Sequence, residues 1–187
     1  MAHYTGYVTI PHSTYAEWKS EVLGNSYDAD GLYGAQCWDL AAEFWYNLGF
    51  STGYPLTGGN DARGVWPLRE QNKGNEFDLI YNIDDVLQGD VMCFSGPTST
   101  GHIAFADEDY PGSGTTSMNL LGQNQGGGQP APGGGTTASV DSFNISSFQG
   151  AFRYKGWHTT PPTPVTTTTS KFPWVLYARK IRQRNQF

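Results

Sequence analysis

Apolar residues recur along this chain with two different periods. In "TYAEWKSEVLG", Tyr15, Trp18 and Val22 fall three and four apart, the spacing of one helix face. Gly24 is placed to end that helix. From Cys37 the apolar positions run 37, 40, 41, 44, 45 and 48, and Gly49 follows, which predicts a second helix with a glycine stop. Residues 51–75 are rich in glycine and polar residues and predict loop, with a short helix near "DARGVWPL". After that the period shortens. "EFDLIYNI" (76–83) alternates as a strand does, and "QGDVMCFSG" (88–96) reads as a turn and then a strand. "GHIAFADED" (101–109) and "SMNLLGQNQGGG" (117–128) read as two more strands, the latter ending in a glycine-rich loop, and "AFRYKGW" (151–157) as a closing strand. Helices first and antiparallel strands afterwards predict an α+β domain, with the N-terminal helices packed on the sheet.

Composition sets the limits of that domain. The chain has 187 residues, 14% of them aromatic, enough to build one core. "HTTPPTPVTTTTS" (158–170) is Pro- and Thr-rich and reads as a stiff linker. The domain is therefore assigned to residues 1–157, followed by the linker and by a basic segment, 171–187, that reads as a tail or a docking strand. "GGGQPAPGGG" (126–135) has low complexity and reads as a mobile loop. The net charge of −6 conceals an asymmetry: five basic residues and no acid lie from Lys171 onward, leaving six basic against seventeen acidic residues before it. An acidic body repels nucleic acid and suits cations, so no nucleic-acid partner is expected. No apolar run approaches the roughly 18 residues of a membrane span, and "MAHYTGYVTIPHSTYAEWKS" lacks the charged-then-apolar pattern of an export signal.

Candidate chemistry concentrates at the second helix. Cys37 stands at its predicted N-terminus, where free amides and the helix dipole favour a thiolate nucleophile. A thiol of this kind needs a histidine. His3, His12 and His158 lie in flanking segments, whereas His102 begins a predicted core strand. Asn124, at the end of the next strand, is placed to orient the imidazole. Gln36, just before the cysteine, is placed to donate to an oxyanion. Cys93, in the apolar run "DVMCFSG", reads as a small core residue.

The order "YGAQCWDLAAEFW", "GDVMCFSG", "TGHIAFADED", "LLGQNQGG" resembles a CHAP domain (cysteine, histidine-dependent amidohydrolase/peptidase), a papain-like fold of peptidoglycan hydrolases. The resemblance covers about residues 13–157. Its specific blocks are "QC-x-D-L" and "GHIA". It implies a hydrolase that cuts an amide of bacterial peptidoglycan, as an endopeptidase or N-acetylmuramoyl-L-alanine amidase, with Cys37 as nucleophile and His102 as general base. It further implies a phage endolysin, held in the host cytoplasm until holin-mediated release, or a virion-associated lysin, with the virion or a wall-binding module as further partners. Some phage lysins of the family orient the histidine with a Glu that opens a "Glu-Gln-Asn" run. Here that run is Gly122-Gln123-Asn124, so the carboxylate is missing and Asn124 is the remaining match. Asp107, Glu108 and Asp109 are alternatives. The missing Glu also leaves open a non-catalytic wall-binding or virion structural protein on the same fold.

The thiol is surrounded by acid in "DADGLYGAQCWD", and carboxylates near a thiol oppose its ionisation. A cation removes that conflict. Asp28 and Asp30 alternate before Gly31 as at the start of a calcium loop, and Asp39 falls in the first helical turn. With the backbone carbonyls of Leu32 and Gly34 they predict an oxygen shell suited to Ca²⁺. The family resemblance implies the same five ligands. The alternative is a turn whose acids cap the helix or are simply solvated.

Overall fold

The computed structural model describes residues 12–59 and 61–158. The linker beyond His158 and the basic segment 171–187 lie outside the described residues, as does His3. Helix α1 spans Tyr15–Val22. It is capped reciprocally: the Glu17 amide donates to Thr14 Oγ1 (3.2 Å), and the Thr14 amide donates to Glu17 Oε2 (3.3 Å). Tyr15, Trp18 and Val22 are buried, as their spacing predicts. Helix α2 spans Cys37–Asn47 and buries Leu40, Ala41, Phe44 and Trp45. A connection of short 3-10 turns at Ala62–Gly64 and Trp66–Leu68 leads into α3, Arg69–Asn72.

The strands are β1 (Phe77–Ile80), β2 (Val91–Phe94), β3 (His102–Ala106), β4 (Ser117–Gly122), β5 (Ser139–Asn144) and β6 (Phe148–Tyr154). They form one antiparallel sheet ordered β1-β6-β2-β3-β4-β5. The α+β reading therefore matches the described residues, with two differences of detail. The last strand is internal, held between β1 and β2, so the edge belongs to β1. An unpredicted edge strand, "SVDSFN", pairs with β4; its mostly polar residues carry little alternation.

Both faces of the central strands are buried. Alternation sends Val91, Cys93, Ile103, Phe105 and Phe152 to the core shared with Trp18, Phe44 and Trp45, while Met92, Phe94, Ala104 and Ala151 join a second cluster with Phe143. Trp45 stacks on Phe77 at 4.5 Å between centroids, and Phe44 meets Phe105 edge-on at 5.3 Å. This aromatic packing fixes α2 against the sheet and so fixes the position of Cys37.

The glycine run is not the loose loop its composition suggests. Ala35 pairs with Gly135, the Ala35 amide donates to Gly134 O (2.9 Å), and the Thr136 amide donates to Ala35 O (3.3 Å). A Cβ on Gly34 would lie 2.4 Å from Gly134 O. Absent side chains let the two backbones touch, which pins the run to the segment leading into Cys37.

Candidate active site

Cys37 opens α2, with Gln36 in extended conformation as the residue before it. Cys37 is half-buried as a residue, with its thiol on the enclosed side. Burial pushes it up to about 11 and the Asp39 charge adds to the rise, while the backbone amides of Ile103, Trp38 and Cys37 itself favour the thiolate. The helix start therefore does not by itself yield a thiolate at neutral pH. Cys93 is fully buried, and burial raises its thiol further.

His102 begins β3 and is 4% exposed. Its ring stacks on Phe143, with centroids 4.5 Å apart and planes inclined by 21°. Burial lowers it to about 4, so the imidazole is neutral at pH 7, the form a general base requires. Cys37 approaches the same strand start, where the amide of Ile103, the next residue, faces the thiol. No hydrogen bond joins the Cys37 and His102 side chains among the described residues.

The other two predicted residues pair with each other. Asn124 Nδ2 donates to Gln36 Oε1 (2.6 Å), and Gln36 Nε2 donates to Tyr33 O (2.8 Å). The β3–β4 register, with Phe105 opposite Leu121, extrapolates to 102 opposite 124. The chain leaves the ladder after Gly122, however, and Asn124 takes a left-handed φ of 53°. The side chain that meets the imidazole belongs instead to Gln125, whose Oε1 lies 3.1 Å from His102 Nε2. Nothing in the run of polar residues distinguishes Gln125 from Asn124 before the turn is known. Gln123 is buried and clasps Tyr27 by both backbone groups, tying β4 to the acidic segment (3.2 and 3.0 Å). Asp107, the first of the acidic alternatives, accepts from Tyr15 Oη and Lys19 Nζ. Glu108 accepts from the Asn119 amide and Asp109 from the Gln88 amide.

Asp28, Asp30 and Asp39 offer carboxylate oxygens that all lie within 4.8 Å of one another. Asp39 is 1% exposed. It accepts from the Ala29 and Gln36 amides (2.9 and 2.8 Å). Burial and the neighbouring Asp30 charge nevertheless raise it to about 7. Asp28 Oδ1 is buried without a hydrogen-bond partner. A converging oxygen set with an orphaned acceptor fits a hard cation. The loop bends through left-handed residues Gly31, Tyr33 and Gly34, among which the Leu32 and Gly34 carbonyls lie. A cleft of about 270 Å³ adjoins it, lined by Asp30, Trp38, Tyr46 and Tyr54. Trp66, by contrast, is a core residue packed edge-on against Phe152.

The Cys37 thiol and the neutral, hydrogen-bonded His102 imidazole thus stand together at one end of the antiparallel sheet. No family model matches the chain. Over 130 residues, 64% of this chain, it is 40% identical to a D-alanyl-L-alanine endopeptidase of Streptococcus phage B30. The match covers 26% of that relative, so the chain spans about a quarter of its length. Among solved structures, the wild-type endolysin LysIME-EF1 superposes with a TM-score of 0.54 at 24% identity, over 76% of this chain and 63% of that one. That likeness is one of fold.

Proposed function

We propose that this chain is a CHAP-type thiol hydrolase of papain-like fold that cuts an amide in bacterial peptidoglycan, as part of a phage lysin. The observation that carries the reading is the convergence of Cys37, at the head of α2, and the neutral His102 on the start of one strand. The phage endopeptidase relative supports a peptide bond of the wall, and its name gives the D-alanyl–L-alanyl bond as the first to test.

In this reading the Cys37 proton passes to His102 as thiol and imidazole close to hydrogen-bond distance in the substrate complex. Sulfur attacks the carbonyl carbon, and the carbonyl oxygen becomes an oxyanion beside the Cys37 amide. Gln36 retains one amide hydrogen beyond its bond to Tyr33 O for the same oxyanion. The C–N bond then breaks as the imidazolium protonates the leaving amine. Water, deprotonated by His102, releases the acyl group from sulfur. Trp38 and Tyr54 offer apolar surface for the wall peptide or glycan in the neighbouring cleft.

Asp28, Asp30 and Asp39, with the carbonyls of Leu32 and Gly34, would hold a calcium ion. Bound there, it would cancel the acid beside the thiol and fix the loop that delivers Cys37. Among the described residues no helix is long and apolar enough to cross a membrane. Delivery to the wall is assigned to the phage, by holin release or by the virion.

The test is release of new amines from purified Gram-positive sacculi, with reducing ends measured alongside. Amines without reducing ends, lost in Cys37→Ser and kept in Cys93→Ala, are the expected result. Mass spectra of the fragments then name the bond. Undiminished release by Cys37→Ser would refute the thiol mechanism. No release from several wall types would refute the substrate.

A further inference from the structure

The residue that orients His102 is decided by a space, not by a motif. Gly122 closes β4, and a Cβ there would sit 2.5 Å from Gln125 Oε1 and 3.0 Å from Gln125 Cδ. The amide of Gln125 thus fills the volume that any side chain at position 122 would enter. Its nitrogen is committed elsewhere: Nε2 donates to Leu120 O (2.7 Å) and Ser139 O (3.1 Å), with Asp141 Oδ2 at 3.5 Å. Turning the amide over would set its oxygen against two carbonyl oxygens and a carboxylate. The orientation is therefore fixed with Oε1 towards His102 Nε2 at 3.1 Å. An amide oxygen only accepts, so the ring nitrogen it meets must carry the proton.

We propose that Gln125 is the positioning residue of His102, its amide oxygen seated in the space left by Gly122 so as to hold the ring proton on Nε2 and leave the Nδ1 lone pair as the base. Phe143, stacked on the ring, limits the tilt of the imidazole. Asn124 has no part in this: its side chain is engaged with Gln36. The role in catalysis rests on the thiol-hydrolase reading. The tautomer does not, and the experiment separates the two.

The ¹⁵N shifts of the imidazole nitrogens are read at pH 7 in the histidine-labelled full chain, with His102 assigned by its loss in His102→Gln. The wild type is expected to show a protonated Nε2 and a bare Nδ1. Gln125→Met, which keeps the length and removes the acceptor, should move the proton towards Nδ1 or give a mixture. Gly122→Ala, which keeps Gln125 but takes the place of its oxygen, should do the same and serves if the methionine variant does not fold. Asn124→Gly should leave the signals unchanged. A wild-type ring protonated on Nδ1, or Gln125→Met signals identical to wild type, would overturn the proposal. On sacculi, loss of the tautomer should lower kcat ~100-fold, the scale of misplacing a reacting group, with KM little changed. An Nε2-protonated ring in a protein that never releases amines would sink the hydrolase reading and leave the assignment of Gln125 standing.

Discussion

Burial of a neutral His102 should make the protein lose stability in acid by an amount that follows from its surroundings. The ring is 4% exposed, stacked on Phe143 and lowered to about 4. An unfolded histidine titrates near 6.5. Because the folded value lies below the unfolded one, the unfolded state takes up the proton first as the pH falls. The stabilisation is therefore fully present above about 6.5 and drains away between about 6.5 and 4. A difference of roughly 2.5 pH units corresponds to about 3 kcal/mol, a large share of the 5–15 kcal/mol typical of a domain. Carboxylates titrate in the same window, so the informative quantity is the comparison with His102→Gln, which has nothing to protonate there. Urea unfolding at pH 7.5, 5.5 and 4.0, at one fixed calcium concentration, should show the wild type losing about 3 kcal/mol more than the variant across the series. Parallel losses in the two proteins, or an NMR titration of His102 centred near 6.5, would refute the argument that burial keeps this imidazole neutral.

Two further outcomes test the loop that carries Cys37. Gly34 has a φ of 73° and no room for a Cβ beside Gly134 O. Gly34→Ala should cost more than the ~1–2 kcal/mol of the left-handed backbone alone, read as a lower urea midpoint, with faster amide exchange at Ala35 and Thr136; an unchanged midpoint would show that the glycine run is not held against Gly34. Calcium at about 100 times its dissociation constant should add about 2.7 kcal/mol, or roughly 5–10 °C in Tm for a domain of this size. Asp28→Asn should abolish most of that gain, and a melting curve indifferent to chelator would remove the ion from the account.

The helices were legible because their apolar stripes repeat at helical spacing over the whole element. Trp18 and Val22, or Leu40, Ala41, Phe44 and Trp45, each face the core that the pattern assigns them. Strands β2 and β3 were legible as dense apolar runs bounded by glycine. Strand β5 was not: "SVDSFN" is an edge whose ladder is set by its partner β4 rather than by its own side chains. Nor could composition distinguish a mobile glycine run from one docked by close backbone contact, since both call for the same absence of side chains.

Legibility at the site divides along the same line. Cys37 and His102 are marked by local features, a helix start and a strand start, that a sequence displays directly. The acids at 28, 30 and 39 are marked by their spacing, and the three carboxylates do converge. The partner of the imidazole is marked by neither. Extending the β3–β4 register points to position 124, but a single left-handed residue there ends the ladder and hands the contact to position 125. Beside those phage lysins that carry a Glu at the place of Gly122, this chain then looks as if it lacks an orienting group. The missing side chain at 122 is what admits the Gln125 amide, so in the proposed assignment the two positions exchange one function between them. Substitutions at either should then fail to add independently, as coupled neighbours do. Gly122→Ala combined with Gln125→Met should cost His102 little more than either change alone.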